Sequence, residues 1–142
     1  MISQGVVLDA LYAHLRAQVP AIPLFQSAPP DMLPPYGMVH METWHPGNGL
    51  PPPHFYTEGV VGVRLWGPAQ GGPAVVDLLH QLGTAVTGKS VPCKGGRLGF
   101  HGTTETVPAP LPTAQKKWRE GVLNIKFWYQ SERTSDEKEH HV

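Results

Sequence analysis

The sequence has few of the residues that build disulfides, metal sites or membrane spans. Cys93 is the single cysteine among 142 residues, so the chain has neither an internal disulfide nor a CxxC pair for zinc or redox chemistry. No apolar run approaches the roughly 18 residues of a transmembrane helix, and the N-terminus lacks the basic and apolar regions of a signal peptide. We therefore expect a soluble protein, made in a reducing compartment, that has no membrane partner.

A charge excess of one sign is also missing. Eleven Lys and Arg residues balance eleven Asp and Glu residues, and the isoelectric point is about 7.1. Proteins that bind nucleic acid by neutralising phosphates normally carry a basic excess. The balance argues against a sequence-specific nucleic-acid partner.

Residue spacings typical of catalytic or metal sites are absent as well. The histidines form no HxH or HExxH pair, the carboxylates are dispersed, and Ser27, Ser90 and Cys93 lie outside any nucleophile elbow. The glycine-rich turn at 67–73 lacks the spacing of a phosphate-binding loop. The sequence therefore assigns no catalytic, cofactor-binding or metal-binding residue, and we expect neither enzymatic activity nor a cofactor.

Glycine and proline are abundant instead. Together they make up 32 of the 142 residues (16 of each), against a usual share of roughly 12%. The length fits one domain with long loops. We expect a single α+β domain over residues 1–130 and a disordered polar tail over residues 131–142, where charges are frequent and apolar anchors are missing.

Two segments have the apolar spacing of amphipathic helices. The first covers Met1–Val19, with Ser3 as N-cap and Pro20 as the residue that ends it. The second opens near Gly71–Pro73 and ends at Gly88. Its predicted buried stripe consists of Val75, Leu78, Leu79, Leu82 and Val86.

Alternating apolar residues predict the strands. They cover Ile22–Gln26, Tyr36–Trp44, Glu58–Trp66, Arg97–Val107 and Trp118–Gln130. Two glycines in the fourth of these indicate a bulge or bend. Helices separated by runs of strands are typical of an α+β sandwich, so we expect an antiparallel-dominated sheet of four to five strands with both helices on one face.

The longest predicted loop, His45–Gly59, contains four prolines and three glycines and carries His54, Phe55 and Tyr56, with Trp44 just before it. Rigid aromatic segments suit an interface, and the alternative is that these aromatics pack over the chain's own sheet. The last strand has large side chains on both faces, and the two helices are expected to cover only one face of the sheet. We therefore expect a partner subunit against the other face. A basic cluster near Trp118 is either part of this interface or a solvated approach to the strand. The candidate interface residues are Trp44, His54, Phe55, Tyr56, Lys116, Lys117, Trp118, Arg119 and Trp128.

The order of these segments resembles the tail-terminator (tail-completion) proteins of long-tailed bacteriophages. An opening helix (VVLDALYAHLRAQVP) leads into an apolar strand (IPLFQS) and a proline-introduced strand (PPYGMVHMETW). After a loop come a strand (GVVGVRLWG), a helix (GPAVVDLLHQLGTAVTG) and, through a basic run, a terminal strand (QKKWREGVLNIKFWYQ). The resemblance covers most of residues 1–130.

The resemblance implies a structural virion protein without catalytic residues. Such a subunit forms a homo-oligomeric ring, a hexamer in this family, on the neck-proximal end of the tail. The ring caps the tail tube, stops its polymerisation and joins it to the head connector, so the implied partners are other copies of the chain, the tail tube protein and the connector protein. Two alternatives stay open: another connector or head-closure subunit, and a small-ligand or enzyme domain with a pocket formed by Cys93, His101 and the proline-rich loop.

Overall fold

The computed structural model describes residues 2–26, 35–47, 56–68, 75–106 and 118–131. Within these ranges the fold is α+β, with two helices and a mixed, curled sheet of six strands. The helices are α1 (Gln4–Gln18) and α2 (Val75–Val86), and the strands are β1 (Leu24–Phe25), β2 (Tyr36–Gly47), β3 (Tyr56–Pro68), β4 (Ser90–Cys93), β5 (Gly96–Thr106) and β6 (Trp118–Ser131).

The strands lie in the order β1-β2-β3-β6-β5-β4. All neighbours are antiparallel except β1 and β2, which are parallel. Helix α1 contacts both β2 and β4, which lie towards opposite sides of the sheet, because the sheet curls around it. The α+β class is confirmed, whereas the predicted count of four to five strands is wrong.

The strand missing from the prediction is β4. It has four residues, and its Pro92 cannot donate a ladder hydrogen bond, which restricts it to the edge of the sheet. A tight turn then leads into β5, with Lys94 and Gly95 at φ of 31° and 76°. A strand this short, with a proline inside it, has no alternation from which a sequence pattern can be detected.

The N-cap of α1 and the buried stripe of α2 agree with the sequence predictions. The Ser3 hydroxyl accepts a hydrogen bond from the Val6 N–H at 3.3 Å, and α1 ends two residues before Pro20. Gly88 has the expected left-handed conformation, with φ of 70°, just after α2. The predicted stripe of α2 is buried in full. No helix in the described ranges is both long enough and apolar enough to span a bilayer.

The core lies between the helices and one face of the sheet. It combines Val7, Leu11 and Leu15 of α1 with the stripe of α2 and with alternate residues of the central strands. The predicted alternation of β6 is confirmed, since Leu123, Ile125, Phe127 and Tyr129 are buried. The His14 ring contacts Phe100 and donates from Nε2 to the Ala85 carbonyl at 2.9 Å, which connects α1 to α2.

The predicted loop His45–Gly59 is wrong at both ends. Strand β2 continues to Gly47 and β3 already begins at Tyr56, and these two residues pair. Pro46 fits in β2 because β1 pairs only with Gly37 and Met38, which leaves the far part of β2 at the edge of the described sheet. The predicted tail, residues 131–142, lies outside the described residues except for Ser131, the last residue of β6.

Candidate functional site

The candidate site is the face of the sheet that points away from both helices, called here the helix-free face. Its residues alternate along each strand with the buried ones, so the pleat alone assigns them to this side. No described helix packs on it. Its side chains include Tyr36, Met38, His40, Tyr56, Glu58, Val60, Arg64, Trp66, Val122, Asn124, Lys126 and Trp128.

One end of the helix-free face carries an aromatic corner formed by Phe25, Tyr36 and Trp66. Cross-strand pairing sets Tyr36 beside Trp66, with ring centroids 5.1 Å apart, and Phe25 lies edge-on to Tyr36 at 6.3 Å. The Arg64 guanidinium lies 6.0 Å from the Trp66 ring and pairs with Glu120 through a 3.0 Å contact. These rings are half-buried although no described element covers them.

Trp128 occupies the other end of the same face. Its indole lies directly over Gly99 of β5, where an added Cβ would overlap the ring. The glycine therefore provides the flat seat that lets the indole lie against the sheet. Tyr56 is a diagonal neighbour, and its hydroxyl donates to Glu58 at 3.3 Å. Burial and then the Glu58 carboxylate raise the pKa of Tyr56.

Polar side chains separate the two aromatic ends. His40 and Glu42 form a close pair that lies over Gly62, at a position where a Cβ would be 2.8 Å from either side chain. Asn124 and Lys126 follow on β6. The helix-free face therefore has aromatic side chains at both ends and mostly polar ones between them, a mixture typical of surfaces that meet another protein.

The predicted interface residues divide between the two sides of the sheet. Trp128 and Tyr56 lie together on the helix-free face. Trp44 lies on the opposite face, where its ring is 6.1 Å from that of Phe127 and packs against the core, as the alternative interpretation of this residue expected. The backbone of Trp118 pairs with Pro68, and Arg119 is exposed. The remaining predicted residues, His54, Phe55, Lys116 and Lys117, lie outside the described residues.

Sequence reasoning missed the aromatic corner. The alternation in β3 already put Trp66 on the face opposite Val61, Val63 and Leu65. Its contact with Tyr36 depends on the register of β2 against β3, which no local pattern specifies. An aromatic residue on the polar face of a strand was the available signal.

The two described side chains of the alternative pocket, Cys93 and His101, lie apart, and most of its proline-rich loop lies outside the described residues. Cys93 is buried, and this burial raises the pKa of its thiol. It pairs with Gly96, whereas His101 is exposed five residues further along β5, roughly 17 Å at the strand rise. No group of three His, Cys, Asp or Glu side chains in the described ranges could hold a metal ion.

Two open cavities lie elsewhere on the described surface. One of about 340 Å³ lies between the end of α1 and β1, beside Tyr12 and Arg16. One of about 410 Å³ lies between α2 and β5, beside His80 and Glu105, whose Nδ1 and Oε1 atoms are 3.9 Å apart. Neither contains a buried, unpartnered polar side chain that would select a ligand.

Comparison with known proteins adds no further constraint on the site. No protein-family model and no curated protein matches this chain. The functional interpretation therefore depends on the geometry of the helix-free face and on the order of the elements.

Proposed function

We propose that the chain is a phage tail terminator, the subunit of a ring that caps the tail tube, stops its polymerisation and joins it to the head connector. The protein acts through contact surfaces, and no residue has a catalytic role. A hexamer is the stoichiometry that the family resemblance implies. The other partners are the tail tube protein and the connector protein, and the place of action is the neck-proximal end of the tail.

The helix-free face is the observation that carries this proposal. It is a broad, helix-free side of the sheet with half-buried Trp66, Tyr36 and Trp128, each seated by its neighbours rather than projecting freely. Trp and Tyr bring large contact area at little conformational cost, which is why they are enriched in protein interfaces. We assign this face to the tail tube.

The order of the elements supports the same function. The resemblance to tail terminators rests on a helix, a short strand, two long strands, a second helix and a terminal strand, which correspond to α1, β1, β2, β3, α2 and β6. The long central strands β3 and β6 hold the two aromatic ends of the helix-free face at a fixed separation. A rigid sheet is suited to a protein that must present the same surface in every copy of a ring.

Tube capping is the direct test. Tail tube protein from the phage that encodes this chain should polymerise into shorter tubes when the chain is added, with lengths measured by negative-stain electron microscopy. The double variant Trp66→Ser, Trp128→Ser should lose this effect. Val76→Ser is the matched control, because Val76 is an exposed apolar side chain on α2, 46% exposed, and should cap as the wild type does.

Two outcomes contradict the proposal. A ring that leaves tube lengths unchanged and binds the connector side instead supports the alternative of a head-closure subunit. A double variant that caps tubes as well as the wild type shows that the helix-free face is not the surface that meets the tube.

A further inference from the structure

Most of the outer edge of strand β2 has no neighbouring strand among the described residues. It has 12 residues, and β1 pairs with only two of them, Gly37 and Met38. From Val39 to Gly47, β3 is its one ladder partner among the described residues. The outer peptide groups of this stretch have no strand to pair with in the described part of the chain.

Strand β5 has a similar uncovered stretch on the opposite side of the sheet. Strand β4 pairs with Gly96–Gly99, and the Lys89 carbonyl accepts from the Phe100 N–H at 3.0 Å. From His101 to Thr106, the described ladder joins β5 to β6 alone. The two uncovered stretches therefore lie on opposite edges of one sheet.

The direction of the free peptide groups follows from the hydrogen bonds that are present. The Gly37 N–H donates outwards to Pro23 at 2.8 Å, so the core-facing residues of β2 direct their peptide groups to the outer edge. Beyond the bulge at Met41–Thr43, Trp44 is a core-facing residue, so its peptide group also points to the outer edge. In β5 the Phe100 N–H donates outwards to the Lys89 carbonyl. The core-facing residues Thr103 and Glu105 therefore direct their peptide groups to the outer edge of β5.

The two edges are complementary in direction. Strands β2 and β5 run antiparallel to one another within the sheet, so β2 of one copy can lie antiparallel to β5 of the next with both core faces on the same side. The short strands do not obstruct this, because β1 covers the start of β2 and β4 covers the start of β5, whereas the uncovered stretches are the later halves.

The chemistry of the two stretches permits the pairing, with one restriction: Pro46, which faces the outer edge two residues after Trp44, contributes only its carbonyl to a ladder. Neither stretch contains a Lys or Arg, the charges that proteins commonly place on edges to prevent pairing. The β5 stretch has three threonines, which favour strands. An uncovered edge of this kind is a template for another strand.

We propose that neighbouring copies of the chain join by antiparallel pairing of β2 residues 41–47 with β5 residues 101–106 of the next copy, so that the sheets are continuous around the ring. The contact is head-to-tail, the type that closes into rings. This inference rests on the proposed ring, and it leaves the helix-free face available for the tail tube.

Disulfide trapping tests the pairing. Cysteine replaces Thr43 on β2 and, in three separate variants, Gly102, Thr104 or Thr106 on β5, which samples three registers. Thr43, Thr104 and Thr106 are exposed, and nothing lies within 4 Å of a Cβ at Gly102. Within one chain the two cysteines are three strand spacings apart, about 14 Å. A disulfide needs Cα atoms within about 7 Å, so any bond that forms joins two copies.

We expect oxidation to give a ladder of multimers on a non-reducing gel for at least one of the three pairs, and reduction to return the monomer. Thr43→Cys combined with Thr84→Cys on α2 is the matched control and should give no ladder. Thr43→Cys alone tests for a two-fold contact between β2 edges. Buried Cys93 stays in every variant.

Each other result overturns the inference in its own way. A ring seen by light scattering without a ladder from any pair refutes strand pairing and leaves the proposed function standing. A dimer formed equally by Thr43→Cys alone shows a two-fold contact instead. A protein that is monomeric at all concentrations and gives no ladder refutes both the pairing and the ring.

Discussion

The two faces of the sheet contain similar amounts of aromatic side chain and use them differently. On the helix side, Phe127 and Tyr129 are 1% and 3% exposed and are covered by the rest of the chain. On the helix-free side, Trp66 and Trp128 remain half-buried against neighbouring strands with no described helix above them. Neighbouring residues of one strand thus divide between the buried core and an open face, and we propose that the open face meets a partner. The difference can be tested one residue at a time.

The largest effect is expected on the helix side. Phe127→Ala removes a fully buried ring from the centre of the core and should lower the free energy of unfolding by about 3–5 kcal/mol, measured by urea denaturation. Lys126→Ala, on the exposed neighbour, should change it by less than about 0.5 kcal/mol. Equal losses for the two variants would remove the distinction between the faces.

The next largest effect concerns the seat of Trp128. Gly99→Ala places a methyl group where the indole lies, so the ring must move and the free energy of unfolding should fall by about 1–3 kcal/mol. Gly102→Ala on the same strand meets no atom within 4 Å and is the matched control. A change in tryptophan fluorescence should accompany Gly99→Ala alone; an unchanged spectrum would mean that Trp128 does not lie on Gly99.

Trp128→Ser should affect the partner more than the fold. The indole is half-buried, so we expect a loss of about 1–2 kcal/mol in the free energy of unfolding. Tube capping should nevertheless fall at least tenfold, measured from the tube-length distribution. Loss of the folded state would instead place Trp128 among the residues that stabilise the subunit.

The smallest effect is expected at the ion pair beside Trp66. Arg64 and Glu120 are 53% and 40% exposed, so Glu120→Gln should change the free energy of unfolding by less than about 1 kcal/mol. Added salt should reduce the difference from the wild type. A loss above 2 kcal/mol would show that the helix-free face contributes to the fold through its charges.

Local patterns predicted the parts of the fold that local physics determines. The stripe of α2, the Ser3 cap and the alternation of β6 each depend on residues close in sequence. The glycines of β5 likewise indicated the bulge found between Phe100 and Gly102.

The features that were not predicted have a different origin. Trp44 belongs by simple alternation with Tyr36 and His40, on the helix-free face, but the bulge between Met41 and Thr43 moves it to the core face. A contact such as that of Tyr36 with Trp66 joins residues thirty positions apart, so it depends on strand register. The sequence therefore predicted which residues share a face of one strand. It could not predict how the strands bring these faces together into one surface.

The mass of the purified protein in solution tests the central claim most directly. Light scattering, with negative-stain images of the same sample, should give a ring of about six copies of the 15.5 kDa chain with a central hole. The Trp66→Ser, Trp128→Ser variant should form the same ring, because its lost surface meets the tube. A compact monomer at every concentration would contradict the account, since the uncovered edges of β2 and β5 would then have no partner of their own kind.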